Sequence, residues 1–340
     1  MRGFIYFNMK IAQEIKHQID CAFSIVITSH KSPDGDSIGS SMALYHLLKS
    51  WNKDVTVVHP DPAPSFLQWI PDALSIVDFE TNQPIAIKKL KDADLIFCLD
   101  YNEPSRVGDE MMPFLMDAKA LKIMIDHHLF PADFCTLQIS NTAASSTCEL
   151  VYEWIESCSL LDQISDATLQ SLYLGIMTDT GSFRFPSVSS KTHLIVADLI
   201  QRGLKHHLIH ELVYDTNTVD RIKLRGYALS EKLVCLDDIH VAYASLSEQE
   251  LNRFHYQKGD TEGLVNQILG ISGIKMAVLF TEKAGQIKVS FRAKDDYQVN
   301  ELARTHFEGG GHAYASGGIS NLSMEETIAK FVTVVKNFIS

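Results

Sequence analysis

Three apolar runs of this chain end in side chains that can hold metal ions or move protons. Ser24-Ile-Val-Ile-Thr-Ser is followed by His30, and Lys-Ser-Pro then leads to Asp34-Gly-Asp36. Leu95-Ile-Phe-Cys-Leu is followed by Asp100, and Leu121-Lys-Ile-Met-Ile by Asp126, His127 and His128. A further carboxylate, Asp179, lies in Gly175-Ile-Met-Thr-Asp-Thr-Gly-Ser-Phe-Arg-Phe, at the end of a helical stretch. In open α/β sheets ligand sites lie beyond the carboxyl ends of strands, so three such ends would gather these groups in one crevice.

Carboxylates a few ångströms apart cannot all stay ionised and unpaired, and divalent cations resolve that conflict. Mixed carboxylate and imidazole donors without thiolate suit Mn²⁺, with Mg²⁺, Co²⁺ or Fe²⁺ as alternatives; a structural zinc site would use cysteine. Four carboxylates balance two divalent ions, and ions ~3.5–4 Å apart activate water and steady the oxygens of an in-line phosphoryl displacement. Each piece alone is ordinary, since Pro-Asp-Gly is turn chemistry and an Asp after a strand is a routine helix cap. Their joint occurrence is what points to metal-assisted phosphoester chemistry. Arg106 and Arg184 follow two of these segments and could reach a substrate phosphate, with a plain surface arginine as the alternative reading, more so for Arg106 than for Arg184.

The elements that must position these groups alternate along the first half: strands at 24–29, 55–59, 95–100 and 121–126, with helices at 37–50 and 107–118. Such alternation predicts an α/β fold with a mainly parallel sheet covered by helices on both faces. Helical spacing continues at 144–157 and 163–177, then a loop at 178–187, then helices at 189–202, 204–213 and 218–231 with no strand between them. We therefore expect an N-terminal domain over 1–190, a helical linker over 191–225 and a smaller C-terminal α/β domain over 226–340. In that last part, strands are expected near 240–244, 274–281 and 287–292, with Lys283-Ala-Gly-Gln286 as a hairpin turn.

The composition agrees with a folded, soluble chain. Of 340 residues, 46% are hydrophobic and 21% charged, which excludes a disordered or fibrous protein. The net charge of −12 argues against holding long nucleic acid, which needs a basic track. The six cysteines show no Cys-x-x-Cys pairing, so neither a disulfide framework nor a zinc ribbon is indicated. The longest apolar runs are strand-sized, well below the ~20 residues of a membrane span. The first residues lack a signal-peptide pattern, and a cytoplasmic location without membrane attachment is expected.

These motifs resemble the DHH phosphoesterase superfamily, and within it the nanoRNase/pAp phosphatase branch, over nearly the whole chain. The marks are His30-Lys-Ser-Pro-Asp-Gly-Asp-Ser-Ile-Gly-Ser40, Asp100, Asp126-His127-His128 and Thr178-Asp179-Thr-Gly-Ser-Phe-Arg184. A DHH-associated C-terminal domain is marked by Ser290-Phe-Arg292, Asn300 and Gly309-Gly310-Gly311-His312-Ala-Tyr-Ala-Ser316-Gly317. The resemblance implies one ion on His30, Asp34 and Asp100, and a second on Asp36, Asp100, His127 and Asp179, with Asp100 bridging. It implies that Asp126 orients its neighbours and that His128 faces the scissile phosphate.

The second set has its own logic. Three glycines let backbone N–H groups approach a phosphate, while Ser290, Arg292 and His312 add donors and charge. The implied reaction is hydrolysis of RNA oligomers of a few nucleotides to mononucleotides, or removal of the 3′-phosphate from 3′-phosphoadenosine 5′-phosphate (pAp). The second domain would close over the substrate, and the resemblance is compatible with a homodimer. A cyclic or linear dinucleotide phosphodiesterase is the main alternative, with a family II pyrophosphatase or a non-enzymatic nucleotide-binding regulator behind it. Three further features carry less. His206, His207 and His210 look like a helix face without partnering carboxylates. The three tryptophans look like packing residues. Ala144-Ser-Ser-Thr147 looks like a helix cap that recurs in the resembled family without a chemical step attached.

Overall fold

Strands buried on both faces must be apolar nearly throughout, and those of the first half are. In the computed structural model, which describes residues 9–294 and 297–339, the chain forms two compact units, one ending at Thr216 and the other beginning at Asn217.

The first unit contains α1 (Met9–Cys21), β1 (Ser24–Thr28), α2 (Gly35–Ser50), β2 (Asp54–His59), β3 (Val77–Asp78), α3 (Phe79–Asp92), β4 (Leu95–Leu99) and α4 (Met112–Asp117). It continues with β5 (Leu121–Asp126), β6 (Leu137–Ser140), α5 (Thr147–Ser157), α6 (Asp166–Asp179), α7 (Ser190–Gln201) and α8 (His206–Tyr214). Its sheet is parallel, in the order β3-β2-β1-β4-β5-β6. Strand direction of winding reverses between β1 and β4, the place where a doubly wound sheet leaves a crevice. The pleat divides the core: Ile25, Ile27, Phe97, Leu99, Ile123 and Ile125 pack against α1, α2, α5 and α6. Val26, Ile96, Cys98 and Met124 pack with α3 and α4 on the opposite face.

Two expectations are revised here. The helix expected over 107–118 is a 3₁₀ turn, Pro104–Val107, followed by the short α4. Gly108, at φ +82°, and Pro113, at the start of α4, prevent one continuous helix. The segment expected as a linker is shared out. Ile195, Leu199, Leu204 and Ile209 place α7 and α8 in the first unit's core, and the next helix falls in the second unit.

The second unit comprises α9 (Val219–Glu231), β7 (Leu233–Leu236), β8 (Val241–Leu246), α10 (Glu248–Arg253), α11 (Leu264–Leu269), β9 (Met276–Lys283), β10 (Gln286–Ala293), α12 (Val299–His306), β11 (Gly310–His312), β12 (Ala315–Ser320) and α13 (Met324–Ile339). Its mixed sheet runs β11-β12-β10-β9-β8-β7, with only β8 and β9 parallel. The β9–β10 hairpin turns through Ala284 and Gly285, both at positive φ, as a two-residue loop requires. Phe291, Val289 and Phe331 form one core layer with α12 and α13. Ala277 and Leu279 face α9 and α11 on the other side. Among the described residues, no helix is long and apolar enough to cross a membrane.

Candidate active site

Each strand end in the first unit delivers its group by an identifiable local device. After β1, the loop carrying His30 is strapped on two sides. The Lys31 N–H donates to the Arg106 carbonyl (2.7 Å), and the Ser32 N–H donates to Oδ2 of buried Asp61 (2.5 Å). Asp34 then caps α2, its Oδ1 accepting the N–H groups of Asp36 and Ser37 (both 3.0 Å). The Ser37 hydroxyl reaches Ser29 Oγ, and the Ser29 hydroxyl donates to the Leu99 carbonyl (both 2.8 Å), which ties α2, β1 and β4 together beneath the site.

Asp100, immediately after β4, adopts φ +65°. Aspartate tolerates that region better than most residues, and strained backbone of this kind concentrates at functional sites. Its N–H donates to the Ile125 carbonyl (3.1 Å), so the turn is anchored to β5. At the end of β5, buried Asp126 binds its neighbour twice, through the His128 N–H (3.1 Å) and His128 Nδ1 (2.7 Å).

The imidazoles are oriented by carbonyl groups, which can only accept. Nδ1 of His30 donates to the Lys31 carbonyl (2.9 Å) and Nδ1 of His127 to the Ala144 carbonyl (3.3 Å). Nε2 is therefore the nitrogen turned toward the carboxylates, the arrangement usual for metal-binding histidines. His30 Nε2 lies 3.3 Å from Asp100 Oδ2 and 3.9 Å from Asp34 Oδ1. His127 Nε2 lies 3.3 Å from Asp179 Oδ2, 3.7 Å from Asp100 Oδ1 and 4.0 Å from Asp36 Oδ2. Asp36 is fixed by the start of α5, accepting the N–H groups of Thr147 (2.6 Å) and Cys148 (2.9 Å).

The close packing of α2, α5 and α6 depends on Gly175. A Cβ there would fall 2.2 Å from Cys148 Sγ and 2.5 Å from Asp36 Oδ1. This glycine, Asp61 and the Thr147–Cys148 amides are supporting features that sequence reading passed over. The Ser-Ser-Thr cap was a visible signal for the last, but nothing in the sequence tied it to Asp36.

Among the described residues the donor atoms of His30, Asp34 and Asp100 lie within 4.8 Å of one another, as do those of Asp36, His127 and Asp179, and those of Asp100, His127 and His128. Buried carboxylates without cations should resist ionisation. Burial, followed by the charges of Asp36, Asp34, Asp179 and Asp126, pushes the Asp100 carboxyl well above the usual range. Burial lowers the His30 imidazole, and the nearby Arg106 charge adds to this. For His127, burial acts downward, but the carboxylates of Asp179, Asp36 and Asp126 outweigh it and raise the imidazole. This donor set, all carboxylate and imidazole, fits divalent cations.

Arg106 stands near enough to His30 to affect it, and its Nε is buried with no hydrogen-bond partner among the described residues. Arg184 is exposed, its Nε donating to the Gly181 carbonyl (2.7 Å). In the second unit, strand register assembles the other candidates. Gly310, Gly317 and Ser290 lie in one cross-strand row, and His312, Ala315 and Arg292 in the row two positions along. The side chain of His312 lies outside the described residues. Arg292 Nη1 donates to the Phe291 carbonyl (2.9 Å). Asn300 is the second residue of α12, whose Val299 and Leu302 pack on the sheet face opposite to Ser290 and Arg292 and whose Val299 N–H donates to the Ala313 carbonyl (2.8 Å).

The glycines divide by role. A Cβ at Gly309 would meet the Gly317 carbonyl oxygen at 2.0 Å, and Gly311 combines φ +134° with 2.7 Å to the Ala315 oxygen. A Cβ at Gly310 would meet no atom of the described residues within 4 Å. Two of the three glycines are thus demanded by strand packing, while the third leaves an open backbone.

Comparison with known proteins agrees with both units. The DHH family N-terminal domain matches residues 24–176 and the DHHA1 domain residues 238–340. The bifunctional oligoribonuclease and PAP phosphatase NrnA of Bacillus subtilis is 30% identical, over 89% of this chain and 91% of its own length. The cyclic-di-AMP phosphodiesterase GdpP of the same organism is 24% identical over 96% of this chain, which spans 50% of that protein. An exopolyphosphatase-related protein of Bacteroides fragilis has a solved structure with a TM-score of 0.95 and 38% identity, covering 99% of this chain and 98% of that one. With its strand ends, its Asp-His-His and its glycine strand all placed by the fold, the chain belongs to the DHH family, a DHH N-terminal domain followed by a DHHA1 domain.

Proposed function

We propose that this chain is a divalent-metal-dependent phosphoesterase that hydrolyses very short RNA oligonucleotides to mononucleotides and removes the 3′-phosphate of pAp. The observation that carries the reading is Asp100, whose two carboxylate oxygens face His30 on one side and His127 on the other. The similarity to NrnA over about nine-tenths of both chains supports the substrate class. His30, Asp34 and Asp100 would hold one ion, and Asp36, Asp100, His127 and Asp179 the other, with Mn²⁺ the best match to the donors. Bound there, the ions would supply Lewis acidity toward the phosphoryl oxygens.

The protein's own groups supply the rest. Asp126 Oδ1 engages Nδ1 of His128 at 2.7 Å, which leaves Nε2 as the nitrogen proposed to donate to charge developing on the reacting phosphate. Arg106 and Arg184 are proposed phosphate contacts. Ser290, Arg292, Asn300, the Gly309–Gly311 backbone and His312 are proposed to bind the remaining part of the nucleotide. The reaction is proposed to take place in the cytoplasm.

The similarity to GdpP favours cyclic diadenylate as a second reading. Rates on a ribodinucleotide, a pentanucleotide, pAp, cyclic diadenylate and pyrophosphate, measured side by side with Mn²⁺, separate the two. Fastest turnover of the dinucleotide and pAp is expected. Preference for cyclic diadenylate would replace the first reading with the second, and preference for pyrophosphate would overturn both.

A further inference from the structure

Thr147 is the first residue of α5, and helix capping does not need its side chain, because the Ser146 hydroxyl already accepts the Glu149 N–H (3.0 Å). A threonine hydroxyl at such a position ordinarily turns to water or to nearby backbone. Here it is fully buried and donates instead to Asp100 Oδ1 (2.9 Å), a residue 47 positions away in the chain. The N–H of the same residue donates to Asp36 Oδ2 (2.6 Å). One residue therefore binds two carboxylates from two different strand ends. The imidazole nitrogens facing Asp100 Oδ1, those of His127 and His128, stand farther off, at 3.7 and 3.8 Å.

We propose that Thr147 is a positioning residue that fixes the rotation of Asp36 and Asp100 together, so that both present their remaining lone pairs to the cations before these arrive. The inference rests on the metal-dependent reading above. A carboxylate bound at one oxygen has lost its main rotational freedom, and cation binding then does not have to supply that ordering. Outer partners of this kind are worth about 10–100-fold in metal affinity or activity.

The test uses the full chain with Thr147→Val, which keeps shape and N–H but removes the donor, and Thr147→Ser, which keeps the donor. Thr147→Ala reads the same loss should the valine variant fold poorly. Mn²⁺ affinity is measured by titration calorimetry, alongside metal-free melting temperature and kcat/KM on a ribodinucleotide. The expected result is metal affinity about 10–100-fold weaker for valine or alanine at a near-normal metal-free melting temperature, with serine close to the wild type. Wild-type affinity in both the valine and alanine variants, or a serine variant as impaired as valine, would overturn the proposal. A wild-type protein that binds Mn²⁺ without hydrolysing any nucleotide would instead defeat the functional reading.

Discussion

Nε2 of His30 lies 3.3 Å from Oδ2 of Asp100, across the point where the winding of the parallel sheet reverses. Neither residue is near the other in sequence, and both sit just past strand ends that pair in register, Thr28 beside Cys98. Because Asp100 also faces His127 through its other oxygen, it is the residue on which both proposed cation sites depend.

Replacing it should therefore be costly without unfolding the protein. Asn tolerates the positive φ of Asp100 as Asp does, so Asp100→Asn isolates the loss of charge. Its kcat on a ribodinucleotide should fall by about a hundredfold or more, the scale of several kcal/mol of charge stabilisation. Asp109→Ala, in an exposed turn before α4, should leave kcat nearly unchanged. Comparable turnover in the two variants at saturating Mn²⁺ would speak against a shared carboxylate.

His128 is predicted to act on the substrate and not on the cations. Its Nδ1 is engaged by Asp126 at 2.7 Å, and His128→Ala should lower kcat by about 10²–10⁴-fold, the usual contribution of a positioned proton donor. Metal content by elemental analysis should stay normal. Loss of one metal equivalent would make it a ligand.

The glycine strand yields a contrast of stability against binding. Gly309→Ala would force a Cβ to within 2.0 Å of the Gly317 oxygen, and the melting temperature should drop by several degrees, a cost of roughly 1–3 kcal/mol for overpacking. Gly310→Ala meets no atom of the described residues within 4 Å and should leave the melting temperature unchanged or slightly higher. If the open backbone approaches substrate, Gly310→Ala should nonetheless raise KM for the dinucleotide several-fold. An unchanged KM would remove Gly310 from the binding surface.

Glu250 gives a pH-dependent handle on the second unit. Burial works to raise its carboxyl, but Lys232, the Ser247 N–H and the Tyr227 hydroxyl outweigh it and bring it down from 4.5 to about 2. The native state thus favours the ionised form. That stabilisation is fully present above pH 4.5 and is lost as pH falls toward about 2. Glu250→Gln should flatten the stability profile of this unit across that window, followed by denaturant titration at each pH. An identical slope in both proteins would contradict the assignment.

Much of the site was legible because period-2 and apolar-run patterns mark strand ends, and a parallel sheet brings its strand ends to one side. His30, Asp100 and Asp126–His128 follow directly from that rule. Asp61 was not legible: its role depends on the Ser32 N–H it accepts, a loop contact with no spacing signal. The short strands β3, β6 and β11 escaped for a similar reason, since two to four residues carry too little periodicity to register. The assignment of α7 and α8 to the first unit likewise depends on which apolar positions find a core, which helical spacing alone does not state.

Stepwise reactivation of the metal-stripped protein tests the central claim most directly. Mn²⁺ is titrated into the chelator-treated full chain while hydrolysis of a ribodinucleotide is followed. The two donor sets sharing Asp100 predict negligible turnover in the stripped protein and full turnover only once two equivalents are bound. Full turnover in chelator, or a plateau after the first equivalent, would contradict the account.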